Sequence, residues 1–340
     1  MRDFALFRLP DGSAWIGEGP FEACEQAPTD GAAFYWNDFE LSEKRPWRCP
    51  ARLIQLRGDE VAAVTGALDL PRPRVCWTQP ETEWVKMGFR RIRRDVRAGR
   101  LGKMVPVATA SGQLLEGAWQ RLVEPVLAAP EGFWCYGRVQ DEAGFLGATP
   151  ELLFRSDGGE VTTMALAGTA KPGHDVEFLE DLKEIEEHEL VVAYLMERLE
   201  QLGQVEKSAR GTLAAGGLTH FQTHVRLSMD YPADPTSLVP WLHPTPAVGC
   251  LPRTEEWLAV LREYRARLRA PGFFGAPFGF IQGGICHMVV AIRGLGWQGA
   301  EGMLPSGCGI VGGSAFDHEW RELQIKRQAV LEMLNLDGGA

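Results

Sequence analysis

Three residues late in the sequence have types and spacing that suit chemistry: Glu319, Glu322 and Lys326, three and four positions apart. On an α-helix that spacing puts all three on one face. Two carboxylates on adjacent turns can hold a hard divalent cation, directly or through water, and a lysine one turn further can meet an anionic ligand group. The same spacing also serves an exposed ladder of salt bridges. A second acidic cluster, Glu184, Glu186, Glu187 and Glu189, crowds the middle of a long amphipathic segment. Glu187 is an i+4 partner of Lys183, so a solvated face accounts for much of that cluster. Two helices that each give a carboxylate could also pinch one Mg²⁺, an ion that keeps coordination sites for water and substrate oxygens.

Just ahead of the first trio, Gly307, Gly309 and Gly312 spell G-x-G-x-x-G. A dinucleotide loop follows a buried strand, opens a helix and starts a βαβ unit. Here no βαβ unit follows, and no acidic residue stands on a later strand, which disfavours a nicotinamide-dependent dehydrogenase. The expected duty of these glycines is a tight turn that needs tolerance of positive φ.

The elements that must position these groups are readable from periodicity. A helix is expected over "ETEWVKMGFRRIRRDVRAG", with Trp84, Gly88, Phe89, Ile92 and Val96 inward and Gly99 as its stop. Arg90, Arg91, Arg93, Arg94 and Arg97 lie on its other face, as on an ordinary solvated helix. "GKMVPVATA" reads as a short strand in which Pro106 marks an edge or a bulge, and "GQLLEGAWQRLVEPVLAA" as a helix. "GFWCYGRV", "ELLFRS" and "EVTTMALAGTA" read as strands. One long helix is expected over "DVEFLEDLKEIEEHELVVAYLMERLEQLG", with an apolar stripe of Phe178, Leu182, Ile185, Leu190, Tyr194, Leu195 and Leu199. "THFQTHVRLSMD", "FFGAPFGFI" and "HMVVAIRGL" follow as strands, and "DHEWRELQIKRQAVLEMLNL" as the last helix. The even βαβ rhythm is missing. The fold class is α+β: a single large domain with extensive, mainly antiparallel sheet and surrounding helices.

The chain has 340 residues, 45% of them apolar, and a formal net charge of −10. That balance argues against a nucleic-acid partner, yet it allows a locally positive site for a small anion. The seven cysteines are scattered, odd in number and without a C-x-x-C. A reducing compartment is expected, and neither a disulfide framework nor a zinc ribbon. The first residues lack the apolar stretch of a signal peptide, and no run suits a membrane span, so the expectation is cytoplasmic, with no membrane partner. His220 and His224 stand four apart, but in a strand-like setting, which speaks against a zinc pair.

Taken in order, "GKMVPVATA", "GATPELLFR", "ALAGTA", "EEHELV", "THFQTHV", "LHPTPAVG", "VVAIRG", "GCGIVGGS" and "EWRELQIK" resemble the chorismate-utilising enzymes. That family includes isochorismate, salicylate, anthranilate and aminodeoxychorismate synthases. The resemblance covers roughly Arg100 to Leu336. It implies the anthranilate synthase component I-like fold, with residues 96–337 as the chorismate-binding catalytic region. Residues 1–95 carry no recognisable motif and are expected to be the N-terminal part of the same domain. The resemblance further implies Mg²⁺ held by Glu187 and Glu322, with Glu319 beside them. Lys326 and Arg293 match residues that bind substrate carboxylates. Gly307 presents backbone N–H groups to the ligand. Gly168, Thr169 and His220 lie near the substrate, and Ala247 and Val248 shape the ring pocket. His243 is expected to be a packing residue, and Cys250 and Cys308 to fill space. No obligatory protein partner is expected.

Local features point to the isochorismate synthase branch. Lys103 matches the lysine with which isochorismate and salicylate synthases activate water. Ala167 stands where aminodeoxychorismate synthases carry a nucleophilic lysine. "LHPTPAVG" resembles the isochorismate synthase form of that segment. Glu151 matches the general acid. The chemistry needs both groups: water attacks C2 of chorismate while the C4 hydroxyl leaves from the opposite face, so an amine must take a proton and a carboxyl must give one. Desolvation is expected to depress Lys103 and to raise Glu151. The alternatives are a salicylate synthase, which would also eliminate pyruvate, and a non-catalytic chorismate-binding protein of the same fold. Departures from the family pattern are Lys171 and the residues after it, where arginines are common, and also Cys250 and Gly313.

Overall fold

The computed structural model of the chain describes residues 3–57, 60, 70–170, 175–215 and 217–336. Strands β1 (Asp3–Arg8), β2 (Ala14–Cys24), β3 (Ala32–Trp36), β4 (Trp47–Leu56) and β5 (Arg74–Thr78) come first, and then helix α1 (Thr82–Arg97). Next are β6 (Lys103–Met104), β7 (Val107–Glu116), a 3₁₀ turn, α2 (Val123–Leu127), β8 (Trp134–Gln140), β9 (Ala143–Thr149), β10 (Leu152–Asp157) and β11 (Glu160–Ala170). Helices α3 (Asp175–Glu180) and α4 (Leu182–Leu199) lead to β12 (Gln204–Lys207), β13 (Gly211–Ala215) and β14 (Leu218–Ser228). The chain continues through α5 (Pro235–Leu242), β15 (Cys250–Leu251), α6 (Glu255–Arg267), β16 (Pro277–Gln282), β17 (Ile285–Val290), β18 (Gly294–Gln298), β19 (Glu301–Gly307) and α7 (Phe316–Met333).

Seventeen of these strands join one antiparallel network, and β6 with β15 forms a separate ladder. The N-terminal strands lie inside the network. β1 sits between β2 and β8, with Leu6 opposite both Ile16 and Gly137. β3 pairs with β16, and β5 closes onto β7. Period-two burial explains why short strands such as β5, with alternate residues half-buried and exposed, still pair. The largest core packs α1, α4, α5 and α6 around Trp47, Phe89, Leu195, Leu242 and Leu261. Among the described residues no helix is long and apolar enough to cross a membrane.

Four local expectations change. The segment expected as a helix from Gly112 is mostly strand: β7 runs to Glu116 because β5 pairs with it over that length, with β19 joining on the other side as far as Gln113. Cross-strand pairing outweighs the helical spacing there, and only the 3₁₀ turn and α2 remain helical. Gly112 lets the strands close, since a Cβ would lie 2.8 Å from Val75 Cγ1. The long helix is two helices. Asp181 adopts an extended backbone and its side chain accepts the Lys183 and Glu184 N–H groups, capping α4. Leu182 therefore leaves the stripe and is 81% exposed. On α1 it is Val85 that turns inward, while Trp84 lies outside under Arg267. Finally, "GKMVPVATA" is split at Val105–Pro106 between the small ladder and the large network.

Candidate active site

The small ladder and the glycine loop place Lys103. Met104 exchanges backbone hydrogen bonds with Ile310, and Leu251 pairs with Lys103. The side chain is only 1% exposed, and its Nζ lies 3.0 Å from Glu187 Oε1 on α4. Gly309 is what permits this contact: a Cβ there would overlap Glu187 Oε1 and lie 2.7 Å from Lys103 Cε. None of Gly307, Gly309, Gly312 and Gly313 has positive φ, so the expected conformational role is replaced by close approach. The Gly307 carbonyl accepts a 3.0 Å hydrogen bond from Lys326 Nζ. Gly309→Ala is therefore expected to push Glu187 and Lys103 apart and to cut turnover about a hundredfold; steady-state kinetics check this.

Glu151 follows Pro150 at the end of β9. Its backbone is fixed at both ends: its N–H donates to Thr149 Oγ1 (3.2 Å), and its carbonyl accepts from the Val290 N–H (3.1 Å). Burial pushes its carboxyl up to about 7, against the pull of Lys103, Lys326 and Arg293. Glu151, Gly168, Thr169, Glu187, His220, Ala247, Val248, Arg293, Gly307 and Lys326 border one cavity. Leu166, Phe274, Ile292 and Ser306 also line it. They carry no chemical signature of their own, and only their closeness to the motifs could have flagged them.

One wall is a relay of polar groups. Arg293 donates from Nη2 to His220 Nε2 (3.0 Å), and His220 Nδ1 donates to the Gly168 carbonyl (2.9 Å). This fixes the tautomer. Burial, with Arg293 and Lys326 adding to it, lowers His220 to about 3, so the ring stays neutral. Arg293 itself holds a left-handed backbone, φ 56°, a conformation that a non-glycine residue keeps only where its surroundings demand it. His224 lies two residue pairs along the same strand and is exposed, so the two histidines do not form a metal pair. His243 is a packing residue, its Nε2 donating to the Phe39 carbonyl at 2.8 Å. Cys250 and Cys308 are buried and fill space.

Beneath the cavity, α4 and α7 bring four buried carboxylates together: Glu184, Glu187, Glu319 and Glu322. Glu184 belongs to the acidic cluster already noted in the sequence and stands three residues from Glu187, on the same helix face. Its Oε2 accepts the Thr169 N–H at 2.7 Å. Lys326 Nζ lies 2.5 Å from Glu322 Oε1, and Thr169 Oγ1 donates to the same oxygen at 3.3 Å. Burial raises Glu184 to about 7 and Glu319 to about 8. Burial also works against ionisation of Glu187, but Lys103 and Lys183 outweigh it and hold this carboxyl at about 2. Lys326 likewise overcomes burial at Glu322 and lowers it.

The cluster fits a hard divalent ion. The buried Glu319 oxygens make no well-formed hydrogen bond, Oε1 facing only the Lys183 ammonium at 3.2 Å, and the ligand groups are carboxylates on facing helices. His318, Glu319 and Glu322 also have ligand atoms within 4.8 Å of one another, although an imidazole is a poor match for Mg²⁺. Lys171 and residues 172–174 lie outside the described residues.

An antiparallel network with a cavity walled by Lys326, Arg293 and His220 over a carboxylate floor defines an enzyme-like anion site. Residues 81–335 match the family described as "Chorismate binding enzyme", and the chain belongs to it. It is 33% identical over 256 residues to the salicylate biosynthesis isochorismate synthase of Pseudomonas aeruginosa, covering 72% of this chain and 53% of that protein. It is 32% identical over 227 residues to isochorismate synthase MenF of Bacillus subtilis, covering 62% of this chain and 48% of the relative. The chain thus spans about half the length of these curated relatives. The crystal structure of DhbC from Bacillus anthracis, described as a 2,3-dihydroxybenzoate-specific isochorismate synthase, superposes with a TM-score of 0.81. It shares 20% identity, over 99% of this chain and 97% of that one, and so shows the fold.

Proposed function

We propose that the chain is an Mg²⁺-dependent isochorismate synthase, a hydroxymutase that converts chorismate into isochorismate. The observation that carries this is a buried Glu151 on the cavity wall, whose carboxyl sits at about 7, together with the Lys103 amine, which does not itself line the cavity but lies 3.0 Å from Glu187, which does. Relatives named isochorismate synthase support the reading.

Lys103 takes a proton from the water that attacks C2. The ring double bonds shift, and Glu151 gives its proton to the C4 hydroxyl, which leaves as water. One water enters and one departs. In this structure Lys103 is the ion-pair partner of Glu187, so its base chemistry starts once that carboxylate is engaged elsewhere. Arg293 and Lys326 hold the substrate carboxylates, and neutral His220 fixes the Arg293 fork. Gly168, Thr169 and Gly307 line the anion's path, and Ala247 and Val248 form the wall against the ring. A divalent ion held by Glu187, Glu319 and Glu322 would neutralise a substrate carboxylate and anchor the ring. The seven free cysteines agree with a reducing, cytoplasmic setting.

Purified protein given chorismate and Mg²⁺ should yield isochorismate alone, read by chromatography. Salicylate with pyruvate would move it to the salicylate branch. Chorismate-induced stabilisation without turnover would make it a binding protein. Chelation by EDTA should abolish turnover, and added Mg²⁺ should restore it; activity that survives chelation would remove the metal from the reading.

A further inference from the structure

The chemistry above leaves one partly buried lysine unused. Lys183, on the first turn of α4, places its Nζ 2.9 Å from Glu184 Oε1, 3.2 Å from Glu187 Oε2 and 3.2 Å from Glu319 Oε1. Three carboxylates from two helices thus converge on a single ammonium. Lys103 and Lys326 each grip one cluster carboxylate. Lys183 instead sits among the oxygens that would surround a metal ion. Its spacing to Glu187 is that of a surface i,i+4 pair, yet its side chain is 14% exposed.

We propose that Lys183 is a tethered stand-in for the divalent ion, holding the carboxylates together without metal and swinging out when the ion binds. The inference rests on the reading of the cluster as a divalent-cation site. Its physical reason is crowding of charge. Lys103 and Lys326 reach only Glu187 and Glu322, so without a further cation the four crowded, desolvated carboxyl groups would be under-compensated. A divalent ion about 2.0–2.1 Å from the same oxygens leaves no room for an ammonium among them. The lysine keeps its proton as it leaves, so the cluster exchanges one positive charge for two.

Two features let it move. Gly313 bounds the stem, and a Cβ there would lie 3.1 Å from Lys183 Cγ and 3.2 Å from its Cβ. Beside Glu184 opens a cleft lined also by Thr169, Glu177, Asp181 and His318, whose acidic rim can receive the displaced ammonium.

The test is a calorimetric Mg²⁺ titration without chorismate, on the wild type and on Lys183→Met, which keeps the stem and removes the charge. Loss of the internal competitor should lower the Mg²⁺ Kd by about tenfold or more. The same variant should melt several degrees lower in EDTA and regain the wild-type Tm at saturating Mg²⁺. An unchanged or weaker Kd overturns the proposal while leaving the metal site standing. Absence of Mg²⁺ binding in both proteins overturns the metal site and the proposal with it. Amine acetylation of the wild type, followed by mass spectrometry, gives a readout that needs no variant. Lys183 should label faster with Mg²⁺ while exposed Lys207 stays constant; an unchanged Lys183 rate refutes the displacement.

Discussion

Lys103→Ala should lower kcat for chorismate conversion by about 10²- to 10⁴-fold, the range for removal of a positioned general base. The reasoning is local. The side chain is 1% exposed, its backbone is fixed by the β6–β15 ladder and the adjacent Met104–Ile310 bridge, and its amine has Glu187 as its salt-bridge partner. Water cannot take over both the position and the basicity. Removing one partner of a buried pair normally strands the other charge. Here Glu187 retains Lys183 at 3.2 Å, so the fold should survive and Tm should change far less than kcat. Thermal melts and product chromatography on the same preparation separate the two effects. Turnover near the wild-type rate would remove Lys103 from the base role.

Glu151→Gln should cost a comparable factor, and it should also change the shape of the pH profile. Burial raises this carboxyl to about 7. The protonated form is the acid, so wild-type kcat should fall as pH rises through about 7. The amide has no proton to lose in that range. The variant should therefore show low activity without that limb. A variant that keeps the wild-type limb would assign the ionisation to another group.

Much of this arrangement was legible in the residues. The spacing of Glu319, Glu322 and Lys326 placed them on one face of α7, and α7 does present them together. The alternation in "THFQTHVRLSMD" read as the strand that delivers His220. What was not legible has a physical reason in each case. The strand character of residues 112–116 depends on β5, about forty positions away, and at Gly112 and Gln113 also on β19, about 190 away, which local periodicity does not record. The break at Asp181 needed recognition of a cap inside an otherwise helical pattern. The Lys183–Glu187 pair reads as a solvated helix contact because an i,i+4 ion pair has the same spacing in water and under a second helix. In the sequence Gly309 reads as a turn residue, although its role is to leave space for two side chains from distant segments.

The position of β1 carries a kinetic consequence. Its residues hydrogen-bond to β8, where Asp3 faces Gln140, and β7 must wait for β19, where Val107 faces Gly307. Pairings this far apart in sequence give a high contact order, and such topologies fold slowly because loop closure precedes any gain from contact. During synthesis β1 can pair with β2 at once, but its other edge would stay open until residues 135–140 had left the ribosome. The carboxylates and lysine of α7 would arrive later still, so catalytic competence would be among the last properties the nascent chain acquires.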